Sequence, residues 1–443
     1  MEYSKHNLFS RIAGSDEYFL INPLSRQADI LDAEEANAYR EGRARSDPEY
    51  ARKGYVVDPE EEDRRYRQAY LDFLDERDKE EVQLFFAPWY ACNFNCSYCF
   101  QDEYDPGRGK LDRDVVDAFY AYVDREFAGR RVYLTLFGGE PLLGSQVHRE
   151  SIRTLLDGAR ARNLDVALVT NGYHLADSLD LFEGVRVREV QVTLDGTREV
   201  HDKRRMRKDG SGSFDRIVEG VDAALSRGIP VNLRAVVDRD NLWDLPALAQ
   251  FAEDRGWNRH PLFKTALGRN YELHHCQTNR GRLFSRIELY AELYALVKEH
   301  PGILDFHKPA FSIARYLFEQ GEMPGPLFDS CSGTKTEWAF DFQGNIYACT
   351  ATVGNAGDAL GTFYPRVERN EDAIEAWEDR DVMAIGQCRD CSLQLACGGG
   401  CAAVARTNQG SSLRPTAGPS WSCWSWGSDC TATFPWLRLF VRQ

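Results

Sequence analysis

Residues 82–99 read VQLFFAPWYACNFNCSYC, an apolar run of strand length that empties into three cysteines spaced Cys92-x3-Cys96-x2-Cys99. The run is rich in aromatic and aliphatic residues and stops at a polar turn near Asn93, the pattern of a buried strand. Outward from it the same rhythm returns. Apolar runs at 132–137, 166–170, 189–194, 231–237 and 262–266 alternate with amphipathic stretches at 113–127, 145–162, 213–227 and 241–255. Six strands alternating with helices predict a parallel sheet, because parallel neighbours need long crossovers and helices supply them. Several runs end in turns, at Asn93, Gly138-Gly139, Asn171-Gly172 and Asp195-Gly196. That carboxyl edge is where parallel barrels and open α/β sheets bind ligands.

The chain has 443 residues with 54 basic and 69 acidic side chains, and its net charge of −15 argues against a nucleic-acid partner. At 43% hydrophobic and 28% charged residues it is globular, with length for two or three domains. No stretch approaches the roughly 18 to 20 uncharged apolar residues of a spanning helix, and residues 1–9 lack a signal-peptide core. The expectation is a cytoplasmic protein with no membrane partner. Twelve cysteines are placed unevenly: none precedes Cys92, and eight lie from Cys331 to Cys430. Clustered cysteines in a long chain without a leader point to metal binding or chemistry rather than a disulfide scaffold.

Three thiolates on one short loop can hold three irons of a [4Fe-4S] cube and leave the fourth open, whereas a structural zinc site wants four ligands. With Tyr98 before its last cysteine, this loop resembles the cluster loop of the radical S-adenosylmethionine (radical SAM) superfamily. The resemblance implies a partial (β/α)6 TIM-like barrel and a [4Fe-4S] cluster, ligated by Cys92, Cys96 and Cys99, whose open iron chelates S-adenosylmethionine. Reductive cleavage of that cofactor would yield a 5′-deoxyadenosyl radical. Gly138-Gly139-Glu140-Pro141 is similar to the family's GGEP segment, whose backbone and Glu accept the cofactor's ammonium. Paired glycines permit close backbone approach, and a carboxylate suits a cation. Thr193-Leu194-Asp195-Gly196 and His201-Asp202-x2-Arg205 resemble a stretch of the peptide- and protein-modifying branch. By that likeness Thr193 would contact the ribose or methionyl part and Arg205 the carboxylate, for which a guanidinium fork is suited. Asn171 is a further cofactor candidate, and Arg234 is either that or half of a structural ion pair.

The C-terminal cysteines run Cys331-x12-Gly344-x4-Cys349, then Cys388-x2-Cys391-x5-Cys397-x3-Cys401. This matches the first six cysteines of the SPASM domain, a seven-cysteine extension carrying two auxiliary [4Fe-4S] clusters. The resemblance implies that Cys331, Cys349 and Cys401 serve auxiliary cluster I, and that Cys388, Cys391 and Cys397 serve three corners of cluster II. A four-cysteine zinc ribbon is the alternative, and Cys276 reads as a plain thiol. The expected domains are an N-terminal hairpin and helix at 1–80, a radical SAM core at 81–308, a SPASM domain at 309–414 and an anomalous tail at 415–443.

The chain departs from the family in its tail. Four of nine tryptophans fall in the last 23 residues, and Cys423 or Cys430 would have to supply the seventh ligand without any helical periodicity around it. Residues 416–427, TAGPSWSCWSWG, can be encoded by a DNA that, read one base earlier, spells Asp-Cys-Arg-Pro-Val-Leu-Glu-Leu-Leu-Glu-Leu-Gly. That hidden frame holds a cysteine and then a helix-forming run, so the expectation is a frameshift after about residue 414. Two further departures concern the substrate. Sulfatase-maturating relatives place an Asp base after the second SPASM cysteine, where this chain has Thr350, and they supply a fourth cluster I cysteine between the first two, where residues 332–348 hold none. Cluster I would then have an open iron able to take a substrate thiolate, or a ligand from elsewhere. Residues 1–80 read as a solvated cap on the barrel or a peptide-docking module. The expected activity is radical modification of a peptide or protein substrate, of crosslink or thioether type, with flavodoxin or ferredoxin as electron donor. A formylglycine-forming sulfatase maturase is the rival enzyme, and a non-catalytic iron-sulfur or zinc protein the rival class.

Overall fold

The computed structural model describes residues 1–12, 15–99, 110–269, 280–308 and 322–410. Six parallel strands form the centre: β1 (Val82–Ala87), β2 (Val132–Leu136), β3 (Val166–Thr170), β4 (Val187–Thr193), β5 (Val231–Val237) and β6 (Phe263–Arg269). They are hydrogen-bonded in sequential order, each to the next, with helices in the connections. This is the parallel sheet expected from the alternation of runs and the partial (β/α)6 barrel that the resemblance implied. Every strand lies within two or three residues of its predicted bounds.

Alternation along the strands separates two faces. Val82, Leu84 and Phe86 of β1 and Leu134 and Leu136 of β2 face the helices, where Phe119, Ile152, Leu155 and Leu156 close the main core. Burying each such side chain contributes about 1.5–3 kcal/mol. The helix Gln146–Ala161 shows how the sequence encodes this layer: Ser145 caps its start, and Ile152, Leu155, Leu156 and Ala159 recur on one side. On the opposite face of the sheet Ala87, Tyr90, Phe137, Ala339 and Tyr347 form a second, smaller apolar cluster inside the barrel.

The C-terminal half adds to this sheet rather than standing apart. Strand β7 (Glu337–Asp341) pairs parallel with β1, Glu337 opposite Gln83 and Asp341 opposite Ala87. Strand β8 (Asn345–Tyr347) returns antiparallel to β7. Cys349, two residues past β8, is thereby carried back to the amino ends of the barrel strands.

At the N-terminus, strands Leu8–Arg11, Tyr18–Asn22 and Gln27–Leu31 make an antiparallel sheet, so the expected hairpin is present with one more strand beside it. The helix Pro59–Lys79 starts at Asp58, whose carboxylate accepts from the amides of Glu60 and Glu61. Its aromatic residues turn toward the C-terminal cysteine segment. Tyr66, Tyr70 and Phe73 surround Phe328 at ring distances of 5.2, 5.3 and 5.6 Å, and the Tyr66 hydroxyl donates to Gln394 Oε1 at 2.7 Å. Among the described residues no helix is long and apolar enough to cross a membrane.

Candidate active site

The loop after β1 carries Cys92, Cys96 and Cys99, and two neighbouring segments hold it. Gly139 and Glu140 pack on its backbone: the Glu140 amide donates to Ala91 O at 2.9 Å and the Gly139 amide to Trp89 O at 3.2 Å. A Cβ at Gly139 would lie 2.2 Å from Ala91 O and 2.3 Å from Tyr90 O, so only glycine permits this approach. On the other side residues Phe94–Cys96 pair antiparallel with Arg205–Arg207, which sets Arg205 opposite Cys96.

Between these supports the polar groups are wired together. The Tyr98 hydroxyl donates to Asp195 Oδ2 at 2.6 Å and accepts from Arg205 Nη1 at 2.6 Å. Arg205 is buried, yet its pKa stands well above the usual guanidinium value; burial lowers it, and the charges of Cys96, Tyr98 and Asp195 outweigh that. Its Nε has no hydrogen-bond partner among the described residues. Asn171 Nδ2 donates to Asn93 Oδ1 at 2.7 Å and lies 3.8 Å from Cys92 Sγ. Thr193 is buried at the end of β4 in register with Arg234. Arg234 forms no ion pair among the described residues.

Glu140 is 1% exposed, and its carboxylate accepts from Thr170 Oγ1 at 2.6 Å, Asn171 N at 2.5 Å and Leu142 N at 2.8 Å. Burial raises its pKa against those three donors. The side chain thus ties the end of β2 to the end of β3, while its backbone rests on the cysteine loop.

Arg204, Asp238 and Arg282 carry no signal that sequence reading used, and His201 entered only as part of a motif. Arg204 grips Asp238 through Nη1 at 2.8 Å and Nη2 at 3.0 Å, both fully buried. Arg282 reaches the same carboxylate at 3.2 Å and Ser97 Oγ at 3.4 Å. His201 accepts from the Asp195 amide and meets Ser213 Oγ, and burial holds its pKa well below the ordinary imidazole value. It is a neutral prop for the turn at Asp195.

The three cysteine sets assemble separately. Burial raises the Cys92 thiol to about 12, with Glu140 and the thiols of Cys96 and Cys99 adding to the rise. Cys349 is pushed well above the usual thiol value by burial, then by Glu337, Cys331 and Cys401. Cys388 is raised to about 11 by burial, then by Cys397 and Cys391. None of the nine described cysteines is joined in a disulfide among the described residues, and the charges felt at Cys92, Cys349 and Cys388 include those of the partners that the resemblance groups with each. Three thiols on one short loop, Cys92, Cys96 and Cys99, suit a [4Fe-4S] cluster, whose thiolates sit on different irons; among the described residues no group of three side chains is placed to hold a single metal ion. Cys276, Cys423, Cys430 and the expected frameshift lie outside the described residues.

Residues 87–252 match the model of the Radical SAM superfamily. A GTP 3′,8-cyclase of Agrobacterium fabrum is 34% identical over 170 residues, 37% of this chain and 46% of that protein. The chain spans about half the length of the curated relatives it matches. Among solved structures, anSMEcpe with bound AdoMet and Cp18Cys peptide, an anaerobic sulfatase-maturating enzyme, aligns with a TM-score of 0.60 at 17% identity, over 81% of this chain and 99% of that one. Streptococcus suis SuiB bound to precursor peptide SuiA aligns with a TM-score of 0.52 at 13% identity, over 93% and 98%. At these identities the likeness is one of fold.

Proposed function

Residues 87–252 are a radical SAM domain, and from that premise we propose that the chain is an enzyme that cleaves S-adenosylmethionine and abstracts hydrogen from a peptide or protein substrate. The observation that carries the reading is the second cysteine array. Cys349 is carried toward the amino ends of the barrel strands by a hairpin that extends the sheet, with Cys331 and Cys401 beside it, while Cys92 follows the other end of that sheet. A cluster at each end leaves the barrel interior, lined by Tyr90, Phe137 and Tyr347, as the place for a substrate segment. The peptides bound to anSMEcpe and SuiB support the same class of substrate.

In this reading Cys92, Cys96 and Cys99 hold the catalytic cluster. Tyr98, Gly138, Gly139, Glu140, Thr193 and Arg205 surround the cofactor. The bound cluster and S-adenosylmethionine supply a 5′-deoxyadenosyl radical. The chain's own part is to position and to exclude water. Arg205 offers a buried cation for the cofactor's carboxylate, held in place by Tyr98 and Asp195. Gly139 lets its segment pack directly on the backbone that leads into the cysteine loop. The six C-terminal cysteines would hold two auxiliary clusters, which would supply a place for the electron left on the substrate or a ligand site for the substrate itself.

The test is anaerobic reconstitution with dithionite and S-adenosylmethionine, reading 5′-deoxyadenosine, followed by mass spectrometry of short peptides encoded beside the gene. A loss of two hydrogens with a new crosslink supports the proposal. An aldehyde at one Cys or Ser gives the sulfatase-maturase alternative instead. Failure to form 5′-deoxyadenosine sinks the enzyme reading, and turnover of GTP in place of peptide would move the chain toward its sequence relatives.

A further inference from the structure

The turn that follows Cys331 folds back on itself and delivers a carboxylate to the neighbourhood of Cys349. The amides of Lys335, Thr336 and Glu337 all donate to Ser332 O, at 3.1, 3.0 and 2.9 Å, and the Thr334 amide donates to Glu337 O at 2.8 Å. Glu337 is thereby fixed where β7 begins. Its carboxylate accepts from Ser332 Oγ at 2.8 Å and from the Thr350 amide at 3.0 Å. Ser332 follows Cys331 and Thr350 follows Cys349. One acidic side chain is therefore gripped by the immediate neighbours of two cysteines that lie 18 positions apart.

The third cysteine is tied to the same place. The Cys331 thiol accepts from the amides of Gly333 and Ala402, and Ala402 follows Cys401. Of the charges felt at Cys349, that of Glu337 is the largest, ahead of those of Cys331 and Cys401. The Glu337 carboxyl is itself largely withdrawn from water: burial raises its pKa, opposed by the hydrogen bonds from Thr350 and Ser332. A carboxylate offers about four lone-pair sites to donors or metals. The Thr350 amide and hydroxyl and the Ser332 hydroxyl fill at most three of them, which leaves room for a further partner. Carboxylates that ligate metals are themselves held by hydrogen bonds of this kind. Carboxylate oxygen is an established ligand of protein-bound iron, and an iron of a cluster accepts a ligand other than cysteine, as the histidines of Rieske centres show.

We propose that Glu337 is the fourth protein ligand of a cluster held by Cys331, Cys349 and Cys401, an oxygen donor supplied from the stretch 332–348 that holds no cysteine. The inference rests on the reading of those three cysteines as cluster ligands. It deepens that reading, because a cluster closed in this way can accept an electron but offers no iron to a substrate thiolate. A crosslink made by this chain then forms without substrate ligation at auxiliary cluster I.

The experiment is electron paramagnetic resonance of the reconstituted, reduced full chain with S-adenosylmethionine in excess, following the auxiliary signal that is absent from the Cys349→Ala protein. The probe is isotopically labelled imidazole, a neutral nitrogen donor that binds an iron lacking a fourth protein ligand. No nitrogen coupling from the label is expected at that signal in the wild-type chain. Glu337→Ala is expected to gain the coupling, and Glu337→Cys, which restores an anionic ligand, to lose it again. Coupling in the wild type, or none in Glu337→Ala, overturns the proposal. If Glu337→Ala does not fold, as circular dichroism would reveal, the near-isosteric Glu337→Gln decides by the same criterion. Loss of the signal from the Ala and Gln variants with its retention in Glu337→Cys also supports the ligand role. Loss from all three overturns it, since the carboxylate would then serve only as a hydrogen-bonding support. A wild-type chain with no signal that depends on Cys349 fails the underlying reading, and the proposal falls with it; a wild-type signal that takes up imidazole fails the proposal alone.

Discussion

Arg205 lies directly across from Cys96 in a two-stranded antiparallel ladder, and its guanidinium donates to the hydroxyl of Tyr98, two residues further along the cysteine loop. One side chain thus braces the loop and presents a buried cation beside it. Arg205→Met should therefore act on the cofactor and on Asp195, whose carboxylate would keep Tyr98 but lose the charge behind it. A hydrogen bond to a charged group is worth about 1.5–3 kcal/mol, so 5′-deoxyadenosine formation should fall by about 10- to 100-fold. Arg205→Lys, which keeps the charge but not the fork, should fall between the two.

Glu140 receives three protein donors, and Glu140→Gln replaces one acceptor oxygen with an amide that faces another donor. Leaving a buried donor unsatisfied costs about 1–3 kcal/mol. The thermal midpoint should fall by several degrees in calorimetry, and the cysteine loop, which rests on the Glu140 backbone, should retain less iron. A variant with normal stability and normal iron would show that the carboxylate is not the tie between β2 and β3.

The parallel sheet was legible in the sequence because its strands and helices are long enough to show their own periods, while its closure into a partial barrel was legible only through the resemblance of the cysteine loop. The antiparallel pair of Phe94–Cys96 with Arg205–Arg207 was not legible, since three residues display no period and the partners are about a hundred positions apart. The same holds for β7, which joins β1 across some 250 residues. The Cys92, Cys96 and Cys99 loop could be read from spacing because it is local, whereas the interleaved C-terminal sets, with Cys331 and Cys401 some 70 residues apart, came only from the resemblance. Arg204, Asp238 and Arg282 could not, because a buried ion pair leaves no spacing to find. The helix Pro59–Lys79 was visible as a charge-rich amphipathic run, but its contact with Phe328 depends on packing that charge patterning does not encode.

His6 is fully buried against Tyr66, with a ring separation of 5.2 Å, and among the described residues neither ring nitrogen has a hydrogen-bond partner. Burial is the main cause that lowers its pKa from 6.5 to about 4. A base whose folded value is depressed favours the folded chain above its unfolded value and weakens it as pH falls toward the folded one. Stability should therefore decline between about pH 6.5 and pH 4, by on the order of 3 kcal/mol at full effect. His6→Phe should flatten that part of the profile in pH-dependent urea melts of the N-terminal helix. An unchanged slope would assign the acid sensitivity to other groups.

Phe328 is the contact through which the N-terminal helix reaches the cysteine segment, and Tyr66 continues the link to Gln394, which lies between Cys391 and Cys397. Phe328→Ala should leave a cavity under three aromatic rings at a cost of about 3–5 kcal/mol. The damage should be local, because this cluster is separate from the core that carries β1 to β6. Limited proteolysis should then cut within residues 59–79, and the iron content should drop by about one cube, while cleavage of S-adenosylmethionine at the Cys92 loop persists. Tyr66→Phe keeps the ring and removes only the hydrogen bond, so it should leave the helix protected and test the Gln394 link by itself. If both variants lose cofactor cleavage together with iron, the two ends of the molecule do not act independently, and the C-terminal cysteines must be counted among the supports of the catalytic loop.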